Sequence, residues 1–562
     1  MRNRLLVCNV LALAFLTFPV GGAEPPALGD LSKVGTVHFP NSCSAQVQPD
    51  FLRGVALLHS FFYEEARRVF ASVAEADASC AMARWGVAMT WYHPLWAAPT
   101  EAELKAGLEA VQEAEAANAP TPRERDYVAA VAAYYRAGQG VASGPVGQSC
   151  HGPTDQGSRR AAFGQAMARL HATYPDDVEA AAFYALSLLQ SSPTRDELPQ
   201  QLKAADILEA LWKEHPNHPG LVHYLIHAYD YPTLAAKGVA AADYYAGIAP
   251  WVPHALHMPS HIYTRLGMWD KSIAANAASA EAARSYARRY HPDAANYNEL
   301  HALDYLAYAY LQTAQDGKAR EVAGRLAAID RTYPEVDFAV AYAAGAIPAR
   351  IALERQAWQE AATLPPPSER LVARFPYDAA HVELAHALGR VRTGDLAGAR
   401  KAMGRIQELR DASTDPRFAY FRRQLELQLL AVEGWIAWAE KRHDHAIALL
   451  RYAADEEDAL GKHPVSPGSI VPVRELLGDL YLELGRPADA LVSFEQSLQL
   501  NPERFRGIAG AARAAEGAGK SDLAATYYRK LLELAKNGDG QRPETTQARA
   551  FLGGAGIRAS ER

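Results

Sequence analysis

The chain is poor in the residues and motifs on which most familiar enzyme classes rest. Only four of its 562 residues are cysteine, and no CxxC pair occurs, which excludes a thioredoxin-type redox pair and the common cysteine-rich zinc sites. There is no GxSxG elbow, no GxxxxGK[ST] phosphate loop and no GxGxxG after a strand. The metalloprotease HExxH is absent too: His381 and His386, in HVELAH, are five apart and diverge on a helix. Basic blocks are missing. With 57 Lys and Arg against 64 Asp and Glu the formal charge is −7, so nucleic acid is not an expected partner. Beyond the first two dozen residues no run is apolar enough to span a bilayer, so stable membrane insertion is not expected.

What is present begins with a secretory layout: Arg2 and Arg4, an apolar stretch from Leu5 to Val20, then Gly21, Gly22 and Ala23. This predicts a signal peptide over 1–23, cleavage after Ala23 and a periplasmic or secreted chain. Cys8 lies inside the leader, too early for a lipid-modified cysteine. An exported compartment permits disulfides, and Cys43 and Cys80 fall near the starts of consecutive repeats, so they are expected to pair. Cys150, beside His151 in a Gly-rich loop, reads as a free thiol.

Residues Val471 to Pro502 carry a helical-hairpin repeat. Small, aromatic, Gly, Ala, aromatic and Pro positions recur in order as Gly478, Tyr481, Gly485, Ala490, Phe494 and Pro502. The small residues let two helices approach, Gly485 ends the first and Pro502 stops the second. This pattern resembles the tetratricopeptide (TPR) repeat. The same spacing recurs at Gly54, Ala66 and Phe70, at Ala387, Gly394 and Ala399, at Gly434, Ala446 and Leu450, and at Gly519, Ala524 and Tyr528, with weaker copies phased on Ala185, Ala235, Gly267 and Ala319.

The resemblance covers most of the chain and implies an all-α fold, nine to twelve hairpins wound into one right-handed superhelix. The expected organisation is N-terminal hairpins over 24–137, a Gly/Ser-rich loop over 138–158, central His-rich repeats over 159–340, C-terminal repeats over 341–537 and a loose tail over 538–562. Residues 24–40 also read as loose, and Pro365 to Pro367 interrupt the array. Trp85, Trp91, Trp96, Trp251 and Trp269 read as core.

In TPR arrays the first helix of each hairpin lines a concave groove, chiefly through positions 2, 5, 9, 12 and 13. Nine of the 19 histidines lie between His215 and His301, a window that by length should hold about three. In the repeat phased on Gly267, His254, His257, His261 and Arg265 take positions 2, 5, 9 and 13. The preceding repeat adds His223 at 8, His227 at 12 and Asp230 at the turn, and the following one adds His301 at 2 and Asp304 at 5. His59, His381, Glu475 and Asp479 take groove positions farther away.

Neutral imidazole and carboxylate are common ligands of transition metals, and residues four apart share a helix face. The expected ligands are His227, His257, His261, His301 and Asp304, holding a divalent ion such as Cu, Fe or Zn, for storage or to activate water or dioxygen. His254 and His261, seven apart, lie too far from each other along a helix for one ion, and Pro259 between them predicts a kink or a helix start. Other readings stand beside this one. His223, at the tight-packing position, also reads as a hydrogen-bonded core histidine, His215 and His218 as loop residues, Asp230 as a turn residue, and Glu475 and Asp479 as a solvated face.

The alternative to a metal site is a groove that holds a peptide, a small molecule or an envelope protein, without catalysis. Against the carboxylate-clamp subset, the chain places His where that subset has Lys or Asn. The strings RGVALLHSFFYEEA, HYLIHAYDYP and PHALHMPSHIYTRLG are similar to a group of uncharacterised exported bacterial TPR proteins, a resemblance that implies no activity.

Overall fold

The computed structural model describes residues 30–95, 98–137, 153–190, 198–335, 337–372, 374–415, 418–540 and 542–560. The expected leader, Trp96, Cys150 and His151 lie outside them. The first helical hairpins pair α1 (Gln48–His59) with α2 (Tyr63–Ala76), α3 (Ala81–Tyr92) with α4 (Glu101–Ala116), α5 (Pro122–Arg136) with α6 (Pro153–Thr173) and α7 (Val178–Leu189) with α8 (Pro199–Glu214). The central ones pair α9 (Pro219–Tyr229) with α10 (Val239–Ile248), the two short helices α11 (Pro253–His257) and α12 (Pro259–Arg265) with α13 (Trp269–Tyr290), and α14 (Tyr297–Gln312) with α15 (Asp316–Ala327).

After α16 (Phe338–Glu354), α17 (Trp358–Ala361) and the single turn α18 (Glu369–Val372), the array continues with α19 (Ala380–Thr393) on α20 (Leu396–Ala412) and α21 (Ala419–Ala439) on α22 (His443–Leu460). It ends with α23 (Val473–Glu483) on α24 (Pro487–Leu500), α25 (Phe505–Gly517) on α26 (Ser521–Leu534), and α27 (Pro543–Ser560). A two-residue parallel pairing of β1 (Ala295–Asn296) with β2 (Thr332–Tyr333) is the sheet structure found among the described residues. The fold is an all-α repeat superhelix.

The spacing of glycine and aromatic residues has a direct packing cause. A Cβ on Gly478 would sit 2.7 Å from the Phe494 ring, and one on Gly510, in the next repeat, 2.3 Å from the same ring. Phe70 is gripped in the same way between Gly54 and Gly86. Phe70 and Phe494, each on a second helix, are thus wedged between the first helices of their own and the following repeat, at a distance only glycine leaves open. Gly485, at φ +67°, takes the left-handed turn that ends α23.

Two apolar cores, one spanning Val34 to Tyr286 and the other Ala280 to Ala548, meet along α13. The array also curls back on itself. Trp269 Nε1 donates to the Glu503 carbonyl at 2.8 Å, and Arg504 Nη1 to the Tyr308 hydroxyl at 2.9 Å. At the other end His291 Nε2 meets Glu64 at 2.6 Å, and Arg68 donates to the Tyr290 hydroxyl at 3.1 Å. Groove positions read as solvent-facing are therefore buried inside the curl.

Three further expectations change. Residues 34–39 are packed, with Phe39 edge-on to Phe51 and Trp85, because Cys43 and Cys80, joined as expected by a disulfide, tie this segment to the N-terminus of α3. The Gly/Ser-rich loop ends by Pro153, where α6 begins. The C-terminal tail is not loose either: Arg542 is buried on Asp316 at 2.6 Å and leads into α27.

Candidate metal centre

The centre grows from α9, α11, α12 and α14, which carry six of the histidines singled out above. On α9, His223 and His227 are four apart and share one face, with their Nε2 atoms 3.1 Å apart. His254 of α11 brings its Nε2 to 3.2 Å from that of His223. The helix then breaks. Pro259 has no N–H to continue the ladder, so α11 ends at His257 and α12 starts at Pro259. Across this break His257 and His261 place their Nε2 atoms 3.0 Å apart, and His301 of α14 packs its ring 4.3 Å from that of His257.

Two all-histidine trios result: 223, 227 and 254, and 257, 261 and 301. The ligand nitrogens in each lie within 4.8 Å of one another. The trios abut, since the rings of His227 and His261 are 6.3 Å apart and those of His254 and His257 6.2 Å apart.

The far ring nitrogens explain which way the imidazoles face. Nδ1 of His261 donates to Asp230 Oδ2 at 2.9 Å, Nδ1 of His257 to Asn276 Oδ1 at 2.7 Å, and Nδ1 of His223 to the His59 carbonyl at 2.7 Å. Asn276 is itself oriented by donating to the Ser272 carbonyl at 2.8 Å, which leaves its oxygen for His257. With Nδ1 protonated in each ring, Nε2 carries a lone pair. The lone pairs of His257 and His261 therefore point at each other across 3.0 Å with no proton between them. Two acceptors so placed repel each other unless a cation sits between them.

Protonation is not the remedy this environment favours. Burial, reinforced by the neighbouring imidazoles, holds His223, His254, His257 and His301 well below the usual histidine range. Burial and His261 push His227 down to about 3. Burial also lowers His261, against the pull of Asp230.

Around this wall stand residues that sequence reasoning placed differently or did not single out. Asp230, read as a turn residue, is buried, and Arg265 Nε donates to its Oδ1 at 2.8 Å while Lys462 approaches at 3.5 Å. Burial opposes its ionisation, yet Lys462, Arg265 and His261 outweigh that and keep its carboxyl well below the usual range. Burial and Arg265 push Lys462 down to about 7, against the pull of Asp230.

His218, read as a loop residue, caps α9 and meets Glu179 at 3.0 Å; His59 meets the same carboxylate at 2.6 Å. This buried His59–Glu179–His218 group also has metal-ligand spacing. Its hydrogens are nevertheless accounted for: His59 Nδ1 accepts from the Tyr224 hydroxyl at 2.9 Å and His218 Nδ1 from the Leu221 amide at 3.3 Å, leaving both Nε2–H groups for Glu179. Glu179 was legible in principle, because it stands in the first turn of α7 as His254 stands in the first turn of α11. Asn276 had no comparable signal, lying on the second helix of its hairpin.

The other expected residues do not join the wall. Asp304 is buried but turned to Arg350, whose Nε donates to it at 3.1 Å. His381 is buried beside Asp378. Glu475 and Asp479 are neither solvated nor near the trios: Arg504 donates to Glu475 at 2.7 Å, and Arg506 bonds Asp479.

Beside the centre lies a cavity of about 1260 Å³ lined by Tyr63, Trp91, Tyr297, Phe338, Phe421 and His463, among others. Phe61 stacks on Tyr63 from one side and on His227 and His254 from the other, so one aromatic layer separates cavity from centre. No helix among the described residues is long and apolar enough to cross a membrane.

Comparison with known proteins bears on the scaffold. Residues 471–504 match the family model described as tetratricopeptide repeat, and no curated protein matches the chain. Among solved structures, the APC/C hetero-tetramer Cut9–Hcn1 is similar at 13% identity, over 90% of this chain and 83% of that chain, with a TM-score of 0.33. A tetratricopeptide repeat protein from Parabacteroides merdae is similar at 14% identity, over 53% of this chain and 98% of that one, with a TM-score of 0.29. The chain therefore carries a tetratricopeptide repeat at 471–504, set in an all-α superhelix of helical hairpins whose first hairpin repeats the same glycine-gripped aromatic packing.

Proposed function

We propose that this protein is a transition-metal protein whose TPR superhelix serves as a shell around histidine ligands. One observation carries the reading: Nε2 of His257 and Nε2 of His261 face each other at 3.0 Å while both Nδ1–H groups are engaged elsewhere. A metal about 2.0–2.1 Å from each nitrogen sets ligand nitrogens roughly 2.9–3.4 Å apart, so an ion turns this repulsion into coordination. Oriented Nδ1–H groups on a carboxylate, an amide and a backbone carbonyl are the usual support of ligating histidines. The Cys43–Cys80 bridge supports an oxidising, exported setting.

The adjacent cavity gives a small molecule room near the ion, which favours reaction or sensing over storage. TPR scaffolds typically bind protein partners. A partner of this one meets its outer face, since the inner positions that a peptide groove would use are buried among side chains.

The test is elemental analysis of untagged, full-length protein offered Fe, Cu, Mn, Ni and Zn. Stoichiometric metal in the wild type, lost in His257→Ala and His261→Ala, supports the reading. Absence of stoichiometric metal under every condition sinks it.

A further inference from the structure

Resting on that reading, we infer that the two trios form one paired centre holding two copper ions in the monovalent state, each bound by three imidazole nitrogens. The geometry supplies the pairing. Each trio is complete in itself, with Nε2 separations of 3.1 and 3.2 Å in one and 3.0 Å in the other. No histidine is shared, and rings facing each other across the boundary are little farther apart than rings within a trio. An ion seated only among His223, His227 and His254 leaves the lone pairs of His257 and His261 still opposed, so the second trio calls for an ion of its own.

Charge selects the ion. All six donors are neutral imidazoles, and two of the nearby carboxylates have cationic partners: Asp230 in Arg265 and Lys462, and Asp304 in Arg350. Among the described residues Glu179, which accepts Nε2–H bonds from His59 and His218, leaves one negative charge beside the trios, against the four positive charges that two divalent ions would bring. The cost of burying an ion grows with the square of its charge, so two monovalent ions are much cheaper to place here than two divalent ones. Coordination number points the same way. Zinc completes a tetrahedron with a fourth ligand, whereas the d¹⁰ monovalent copper ion is content with three donors, and imidazole is a ligand type copper accepts. Manganese and magnesium, which favour oxygen donors, are excluded by the same donor set.

The test uses the full-length chain, stripped of metal and titrated under argon with cuprous ion buffered by a chromogenic chelator, with an equimolar zinc salt present. The expected result is two coppers per chain, silent in electron paramagnetic resonance, with three nitrogen neighbours by X-ray absorption. His254→Gln and His301→Gln should each hold one copper, and the double variant none. Because buried histidine variants can fail to fold, His227→Gln, whose ring is half-buried, is the second probe of the first trio and should also hold one.

A wild type that takes up a single copper, or zinc in preference to copper, overturns the paired cuprous centre while leaving a metal site standing. So does a folded His227→Gln or His254→Gln that still takes two. Retention of neither ion overturns the metal reading itself.

Discussion

The inner faces of α9 to α14 and of α23 to α25 occupy equivalent places in the superhelix, and both are crowded with polar side chains taken out of water. They solve that problem in opposite ways. In the C-terminal region buried charges meet their opposites: Arg504 bridges Glu475 and Glu354, both at 2.7 Å, Arg506 holds Asp479, and Arg542 holds Asp316. In the central region neutral rings of one kind face each other, with the Nε2 lone pairs of His257 and His261 opposed at 3.0 Å. A self-matched network is complete as folded and reads as structure; an unmatched set of lone pairs calls for a cation. Equal burial and equal repeat position thus separate into scaffold and site only when donors and acceptors are counted atom by atom.

That contrast can be broken most severely in the matched region. Arg504→Met leaves Glu475 and Glu354 buried without their cation and should cost about 3–5 kcal/mol, read as a lower urea midpoint, with metal content per folded chain unchanged. Next comes His261→Ala. Losing one of three nitrogens should weaken metal binding by at least ~100-fold, more than the 10–100-fold typical of residues that only orient ligands, while the metal-free variant should be less stable than its parent, because the buried Asp230 loses a donor. Competition against a chelator and urea titration check the two halves.

Acid sharpens the difference further. The six histidines titrate lower in the folded chain than the ordinary value of 6.5, so below that pH the unfolded chain binds more protons and stability falls with pH. Each contributes a slope of about 1.4 kcal/mol per pH unit between its unfolded and folded values. Metal-free protein should lose stability steeply from about pH 6.5 downward, and metal-loaded protein should begin its loss at lower pH. Equal urea midpoints for metal-free protein at pH 7 and pH 5.5 would refute this. The smallest effect is expected from Asn276→Ala, which frees the His257 ring to turn and should lower metal affinity about tenfold.

Much of the scaffold could be read from the sequence because TPR packing is local. Gly478 and Phe494 interact within one repeat, so their spacing along the chain is the fold. The same periodicity assigned His254, His257, His261 and His301 to one wall. It could not say that the wall would be closed, because closure rests on contacts such as Trp269 with the Glu503 carbonyl, more than 200 residues apart. For the same reason it misread Asp230, which looks like a turn until α12 and the chain around Lys462 reach it from opposite sides. The exchange of Asp304 for a second trio has a simpler cause: Arg350, on α16, claims that carboxylate first.

The curl that buries the histidines also governs how fast an ion moves. Five of the six rings are buried and His227 is half-buried, so an ion seated among them can leave only when helices part. Its residence time then follows the free energy of that local opening and not its affinity for nitrogen. On the proposed reading, uptake by the metal-free chain would wait on the same opening, so loading and release would slow together.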